Sequence, residues 1–349
     1  MHIPDGYLSP STCATLYGGA IAAWYAALQR LKRVLLSRVV PLISVFAAFS
    51  FVVMMFNLPL PGGTTGHAVG VTIAAIVLGP SGAMVAISLA LALQALFFGD
   101  GGITTLGANC FNMAVIGSLI AYGSYSLLAA KASFDSRRRI VAAAIAGYLA
   151  INAAALAAAI ELGLQPALFH DPSGTPLYAP YPLRIAVPAM MIGHLTFAGL
   201  AEAAIAAGLL AYLQVAEPGL LGAAGGRAPG SRPAIGRGPG LQRIWLLIAL
   251  LMMLTPLGIL AAGKAWGEWS PAELAQSSAP NGSAIGVPAG LQRLANVWSA
   301  PFPAYAPAFV RSPHFGYLLS AIFGVGLLLA LSLLVQHYLQ RRRSSGYSS

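Results

Sequence analysis

Met1, His2 and His67 carry the donor atoms with which this chain could hold a transition-metal ion. A free amine on Met1, the backbone amide nitrogen of His2 and the His2 imidazole can close fused five- and six-membered chelate rings in one plane. The His67 imidazole can supply a fourth nitrogen. Four nitrogens in a tetragonal arrangement suit Ni(II) or Cu(II), whereas Zn(II) prefers a tetrahedron and Mg(II) or Ca(II) prefers oxygen. Such a site needs a free amine and the loss of an amide proton, so binding should release protons and weaken on acidification. Either histidine alone is commonplace; the surroundings of both make the pair informative. Pro4, Asp5 and Gly6 form a turn that folds the N-terminal strand back into the protein. The loop PLPGGTTGH ends at His67, and its Gly62, Gly63 and Gly66 can take tight or left-handed backbone shapes. The run GDGGITTLGANCFN ends at Asn112. Asn109 and Asn112, with Thr64, Thr65 and Ser81 nearby in sequence, are candidates for orienting the imidazoles by accepting their N–H groups.

Positioning these residues falls to elements of an apolar kind. The 349 residues are 58% hydrophobic and 8% charged, against roughly 25% charged in an ordinary soluble domain. Continuous runs rich in Ala, Leu, Ile and Val, each near the ~20 residues that cross a bilayer, predict an all-α polytopic membrane protein and exclude an outer-membrane barrel. Nine helices are expected, over about 12–33, 39–57, 67–79, 81–97, 109–130, 139–162, 185–216, 242–262 and 315–338. The third is too short to span alone, so Pro80 marks a break or a tight turn. The net charge of +10 sits in four breaks: Arg30, Lys32, Arg33, Arg38; Lys131, Arg137, Arg138, Arg139; Arg227, Arg232, Arg237, Arg243; Arg341, Arg342, Arg343. Nine crossings place all four on one face, which makes that face cytoplasmic, leaves the N-terminus outside and gives the cations a role in orientation rather than in nucleic-acid binding. The start has no basic region or early apolar core, so Met1 is expected to be retained rather than cut away with a signal peptide. A Gly/Pro/Arg-rich linker at 217–241 separates a seven-helix metal-capture domain, 1–216, from a two-helix accessory module, 242–349, with an external loop at 263–313.

Other reactive side chains compete for a role. His194 and Glu202 lie eight residues apart in the seventh helix, and intramembrane ionisable groups are functional suspects. They are read either as a structural pair or as the centre of an intramembrane metal-dependent enzyme. His170, His314 and His337 read as surface histidines, and Asp5 and Asp100 as turn residues, with electrostatic attraction of cations as their alternative role. Cys13 and Cys110 can build neither a disulfide framework nor a cysteine zinc site. Gly18, Gly19, Ala22, Ala23, Ala26 and Ala27 form a small-residue stripe suited to helix docking or to internal packing. No phosphate-binding loop, H-E-x-x-H or G-x-S-x-G is present, so hydrolytic chemistry has no visible home.

The words MHIPDGYLSP, LPLPGGTTGH, LGANCFNM and GHLTFAGLAEA, across roughly residues 1–215, resemble the NikM/CbiM family, the substrate-capture components of energy-coupling-factor nickel and cobalt importers. The resemblance implies Met1, His2 and His67 as ligands on an N-terminal segment inserted from outside among the helices. It also implies a transmembrane coupling protein and an ABC-type ATPase in trans. Pro4-Asp5 resembles the nickel branch more than the cobalt branch, so Ni(II) is the expected cargo and Co(II), for corrinoid synthesis, the alternative. The segment TPLGILAAGKAWGEW at 255–269 is similar to the small accessory subunit of the nickel systems, which implies support of metal loading; Lys264, Trp266, Glu268 and Trp269 lie there. The expected location is the bacterial inner membrane, with the C-terminus cytoplasmic.

Overall fold

Ser9 begins the helical part of the chain: its hydroxyl accepts the Thr12 N–H (3.1 Å), and Pro10 follows as the first helical residue, where its missing N–H costs nothing. In the computed structural model the described residues are 1–33, 36–60, 64–222, 239–261, 263–276 and 286–345. Gly62 and Gly63, the linker arginines Arg227, Arg232 and Arg237, and residues 277–285 of the long loop lie outside them. Eight long helices carry the fold: α1 Pro10–Arg33, α2 Leu36–Met54, α3 Val71–Phe98, α4 Leu106–Leu128, α5 Arg137–Leu168, α6 Leu183–Ala216, α7 Gln242–Leu260 and α8 Pro313–Ser345. Six of these, α3 to α8, are long and apolar enough to cross a membrane. α2 contributes the shorter apolar stretch Val40–Met54.

The break expected at Pro80, between helices at 67–79 and 81–97, is present within Val71–Phe98. Gly79, ahead of Pro80, has φ 71° and ψ 168°, outside any helical region. A straight helix of 28 residues would part its ends by about 42 Å. Yet His67, just before α3, and Asp100, just after it, both lie 3.2 Å from His2 Nδ1. α3 is therefore two arms folded back on each other at Gly79–Pro80. His67 itself sits in the loop ahead of α3, not in a helix. The all-α expectation also missed a small antiparallel pair, β1 Leu58–Leu60 and β2 Thr64–Gly66, with Pro59 opposite Thr65. Long apolar helices can be read from their period, whereas three-residue strands carry too few alternations to show one.

Cross-contacts define the two ends of the bundle. At one end the Ser9 N–H meets Gln165 Oε1 (2.9 Å), Leu183 packs at Gly163, and the Tyr317 hydroxyl bonds the Met55 carbonyl (2.9 Å). At the other, Gln214 Nε2 bonds the Phe134 carbonyl (2.6 Å), Arg138 Nε bonds the Leu128 carbonyl (2.8 Å), and Arg243 lies 3.8 Å from Glu217. The basic residues Lys131, Arg137, Arg138, Arg139 and Arg243 thus gather opposite residues 1–9. The module carrying α7 and α8 leans on α2, and its connecting segments fold over the first end.

Candidate metal centre

The N-terminal segment is buried from Met1 to Ser9 apart from partly covered Pro4, although it has no regular secondary structure. Its backbone is held by partners from the loop after α3 and from α4. The Ile3 N–H donates to Asn109 Oδ1 (2.8 Å), and the Ile3 carbonyl accepts from Gly102 N (2.9 Å), Thr105 Oγ1 (2.5 Å) and Asn109 Nδ2 (3.1 Å). Asp5 turns its carboxylate to the N–H groups of Ile103 (3.1 Å) and Thr104 (2.7 Å) and to the Thr104 hydroxyl. Further along, the Tyr7 carbonyl accepts from Ala179 N (3.0 Å) and the Tyr7 hydroxyl donates to the Trp269 carbonyl (2.8 Å). Gly6 has φ +86°, which lets the chain turn at Pro4–Asp5–Gly6 beside Leu291.

Gly102 faces this segment so closely that a Cβ there would run into the Asp5 backbone nitrogen and carboxylate. Gly102→Ala is expected to displace residues 1–5 and weaken nickel binding by about 10- to 100-fold, the equivalent of 1–3 kcal/mol of overpacking. Titration of the variant with nickel checks this, and wild-type affinity would contradict it.

Held in this way, His2 and His67 meet. Their rings lie 4.9 Å apart between centroids, and His67 Nε2 is 3.2 Å from His2 Nδ1. Two nitrogens on adjacent corners of a tetragonal site, with bonds of about 2 Å, lie about 2.9 Å apart, so the pair is near the required spacing. His67 Nδ1 is 3.0 Å from the Ala68 carbonyl, which can only accept; Nδ1 therefore carries the proton and the Nε2 lone pair points at His2. Burial, and next the neighbouring His2, hold the His67 imidazole well below its ordinary range, so it stays neutral and able to ligate. The Met1 amine lies 3.0 Å from Glu268 Oε1. Among the described residues nothing accepts a hydrogen bond from the His2 amide, and His2 Nε2 is buried without a partner. No group of three or more His, Cys, Asp or Glu side chains suited to a metal occurs among the described residues, so a site here depends on main-chain nitrogens.

The remaining expected residues have other partners. Asn109 supports the Ile3 backbone rather than an imidazole, and Asn112 Nδ2 bonds Glu161 Oε2 (2.8 Å). Thr64 Oγ1 and the Thr65 N–H both bond the Lys264 carbonyl (2.9 and 3.2 Å), which ties β2 to the C-terminal module. Ser81 lies at the reversal of α3. His194 Nδ1 faces the Met190 carbonyl (2.8 Å). Glu202 is fully buried and receives the N–H groups of Val69 and Gly70 (both 2.8 Å) and Thr72 (3.2 Å), so its oxygens fix the loop that carries His67. No hydrogen bond joins Glu202 to His194 among the described residues. An apolar cavity of about 680 Å³ opens between α2, α6 and α7. It is lined by Phe49, Ala68, Ile205 and Leu250 among others, and by neither His2 nor His67.

The sequence singles out Asp100 and Glu268 without giving them partners, and does not single out Glu161. Asp100 Oδ1 lies 3.2 Å from His2 Nδ1, Glu268 meets the Met1 amine, and Glu161 meets Asn112. Their only sequence signal is an acid among apolar or glycine-rich neighbours, as in GDGG and WGEW.

Residues 2–220 match the family described as cobalt uptake substrate-specific transmembrane region, CbiM, and residues 242–341 match the PDGLE domain. A fused nickel transport protein, NikMN, of Rhodobacter capsulatus is 52% identical over 340 residues, 95% of each chain. A probable fused nickel transport protein, LarMN, of Lactiplantibacillus plantarum is 42% identical over 97% of this chain and 98% of its own. A cobalt transport protein, CbiM, of Geobacter sulfurreducens is 32% identical over 77% of this chain and 74% of its own. The crystal structure of a truncated transition-metal transporter is 51% identical over 61% of this chain and 98% of that one, with a TM-score of 0.57.

Proposed function

The chain belongs to the CbiM family of metal-uptake transmembrane proteins, here joined to a PDGLE domain, and from that premise we propose that it captures Ni(II) at Met1, His2 and His67 for an ATP-driven importer of the energy-coupling-factor type. It is a transport protein of the bilayer and not an enzyme, and the fused relatives favour nickel over cobalt. The observation that carries the ligand set is the burial of the amine-bearing residue and both imidazoles together, with His67 Nε2 3.2 Å from His2 Nδ1. Stripping water from a hydrated ion requires donors fixed in advance, and the Ile3, Asp5 and Glu202 contacts supply that fixity.

Among the described residues the long helices, with the arms of α3 taken separately, are consistent with nine passes, seven in the capture domain and two in the accessory module. With residues 1–9 at one end and the basic residues at the other, the positive-inside rule assigns capture to the outer face and the C-terminus to the cytoplasm. Because the chain has no phosphate-binding loop, ATP hydrolysis falls to separate ATPase subunits acting through a transmembrane coupling protein.

Titration calorimetry on the detergent-solubilised protein tests the reading. Nickel should bind tighter than cobalt or zinc, with copper as its competitor among tetragonal ions, and His2→Ala and His67→Ala should each lose tight binding. Loss of the amide proton implies release of at least one proton per ion, and neutral His67 adds none. Affinity should then fall at least about tenfold for each pH unit of acidification. Cobalt binding as tight as nickel would favour corrinoid-linked uptake, and unchanged nickel binding in both histidine variants would refute the site.

A further inference from the structure

We propose that the apolar groove between α2, α6 and α7 binds one anionic phospholipid of the leaflet at the basic end of the bundle, its acyl chain along the groove and its phosphate at Arg243. This site does not depend on which ion the chain captures. Its walls are single faces of helices: Ala201, Ile205, Gly208 and Tyr212 on α6, and Leu246 and Leu250 on α7, spaced by three or four residues so that their side chains share one side. Of the side chains that line the groove, only those of Arg243 and Tyr212 carry polar atoms. Arg243 stands at the start of α7 and Tyr212 one turn before the end of α6, so both polar groups lie at the end where the basic residues gather.

Length and volume select the occupant. Ala201 to Tyr212 cover about 16 Å of α6 at 1.5 Å per residue. One leaflet of the hydrocarbon core is about 15 Å deep, half of the ~30 Å that a span must cross. The 680 Å³ of the cavity takes an acyl chain of about 16 carbons, which fills about 480 Å³ if a methylene takes roughly the 30 Å³ of a water molecule. A Cβ placed on Gly208 would meet no atom within 4 Å, so the space beside it is open rather than packed. Walls without hydrogen-bonding groups give a water-soluble ligand nothing to hold.

The charge at the mouth favours an anion. Glu217 Oε1 lies 3.8 Å from one guanidinium nitrogen of Arg243, beyond hydrogen-bond length, and among the described residues no hydrogen bond engages that guanidinium. Its forked donors match two phosphate oxygens. The Tyr212 hydroxyl is at the same mouth, as befits an aromatic residue at a membrane interface. α2 and α6 belong to the capture domain and α7 to the accessory module, so the lipid is a joint between the two. The far end of the groove reaches Ala68, whose carbonyl faces His67 Nδ1 (3.0 Å).

The test places the full-length protein in nanodiscs of equal parts phosphatidylglycerol and phosphatidylcholine with matched acyl chains, and native mass spectrometry counts the lipid each chain keeps. One phosphatidylglycerol per chain is expected, kept about fivefold over phosphatidylcholine, as one arginine at an anionic headgroup implies. Arg243→Gln should bring the two lipids to equal retention. Gly208→Leu should fill the groove and remove the retained lipid, whereas Leu127→Trp, exposed on α4 and outside the groove, should change nothing. A phosphatidylglycerol with a diazirine midway along its chain should label peptides that contain Phe49, Ile205 or Leu250 in the wild type, a measurement that needs no variant to fold. Equal retention of both lipids by the wild type, or label spread evenly over all the helices, would show annular lipid only and overturn the proposal. An unchanged lipid count in Gly208→Leu, or a second copy of the chain covering the groove in place of lipid, would overturn it too.

Discussion

One residue added ahead of Met1, or acetylation of its amine, should lower nickel affinity by some 10²–10³-fold. Four-ligand structural metal sites gain about 10–16 kcal/mol, so one ligand in four is worth about 3–4 kcal/mol. The loss is also steric. Met1 is 3% exposed and its amine is already in contact with Glu268 at 3.0 Å, leaving no room for a further peptide unit without moving the segment at 265–269. Calorimetry on the extended chain, with its mass verified, decides the matter: affinity equal to wild type would eliminate the amine as a ligand. His67→Ala in the extended background separates the contributions. If the amine and His67 ligate the same ion, the two losses should fall short of adding, because one vacancy already loosens the site.

Glu202→Ala should abolish nickel capture although residue 202 touches neither imidazole. Three buried N–H groups, of Val69, Gly70 and Thr72, would lose their acceptor, at about 1–3 kcal/mol each. The loop would then leave its place to find other partners, and His67 would leave with it. The measurement is nickel titration beside a thermal unfolding scan in detergent. Loss of binding with a lowered transition is expected; full nickel affinity would show that the His67 loop is held by something else. His194→Ala offers the contrast, since its Nδ1 contact is to the Met190 carbonyl within its own helix.

Much of this arrangement was legible from residue order alone, and the limits of that legibility have a physical cause. Apolar run length marks helices, and Pro80 after a glycine marks a break, because both signals are local. The convergence of His2 and His67 could be inferred because each sits beside glycines on the same side of a counted set of crossings. What each polar side chain faces could not be read in that way. Asn109 was expected to face an imidazole and holds the Ile3 backbone instead, since a helix position fixes a direction but not which strand of chain arrives opposite. Asp100 reads as a turn residue between glycines, and only the folded chain brings His2 to one oxygen and Tyr305, 205 residues away, to the other. Glu268 and Met1 are 267 residues apart. No periodicity reports a pairing of that range. The strands at Leu58–Leu60 and Thr64–Gly66 went unseen because a pair of three-residue segments has no pattern to show.

The start of α3 sets the positive end of a helix close to His67. An α-helix directs roughly half a positive charge at its N-terminus, which repels cations and attracts anions. The first arm of α3 begins at Val71, four residues after His67, so its dipole is set close to the place proposed for a doubly charged ion. The Glu202 carboxyl oxygens take up the N–H groups of Val69, Gly70 and Thr72 at that end, so its donors are engaged by an acid and not left open towards the cation.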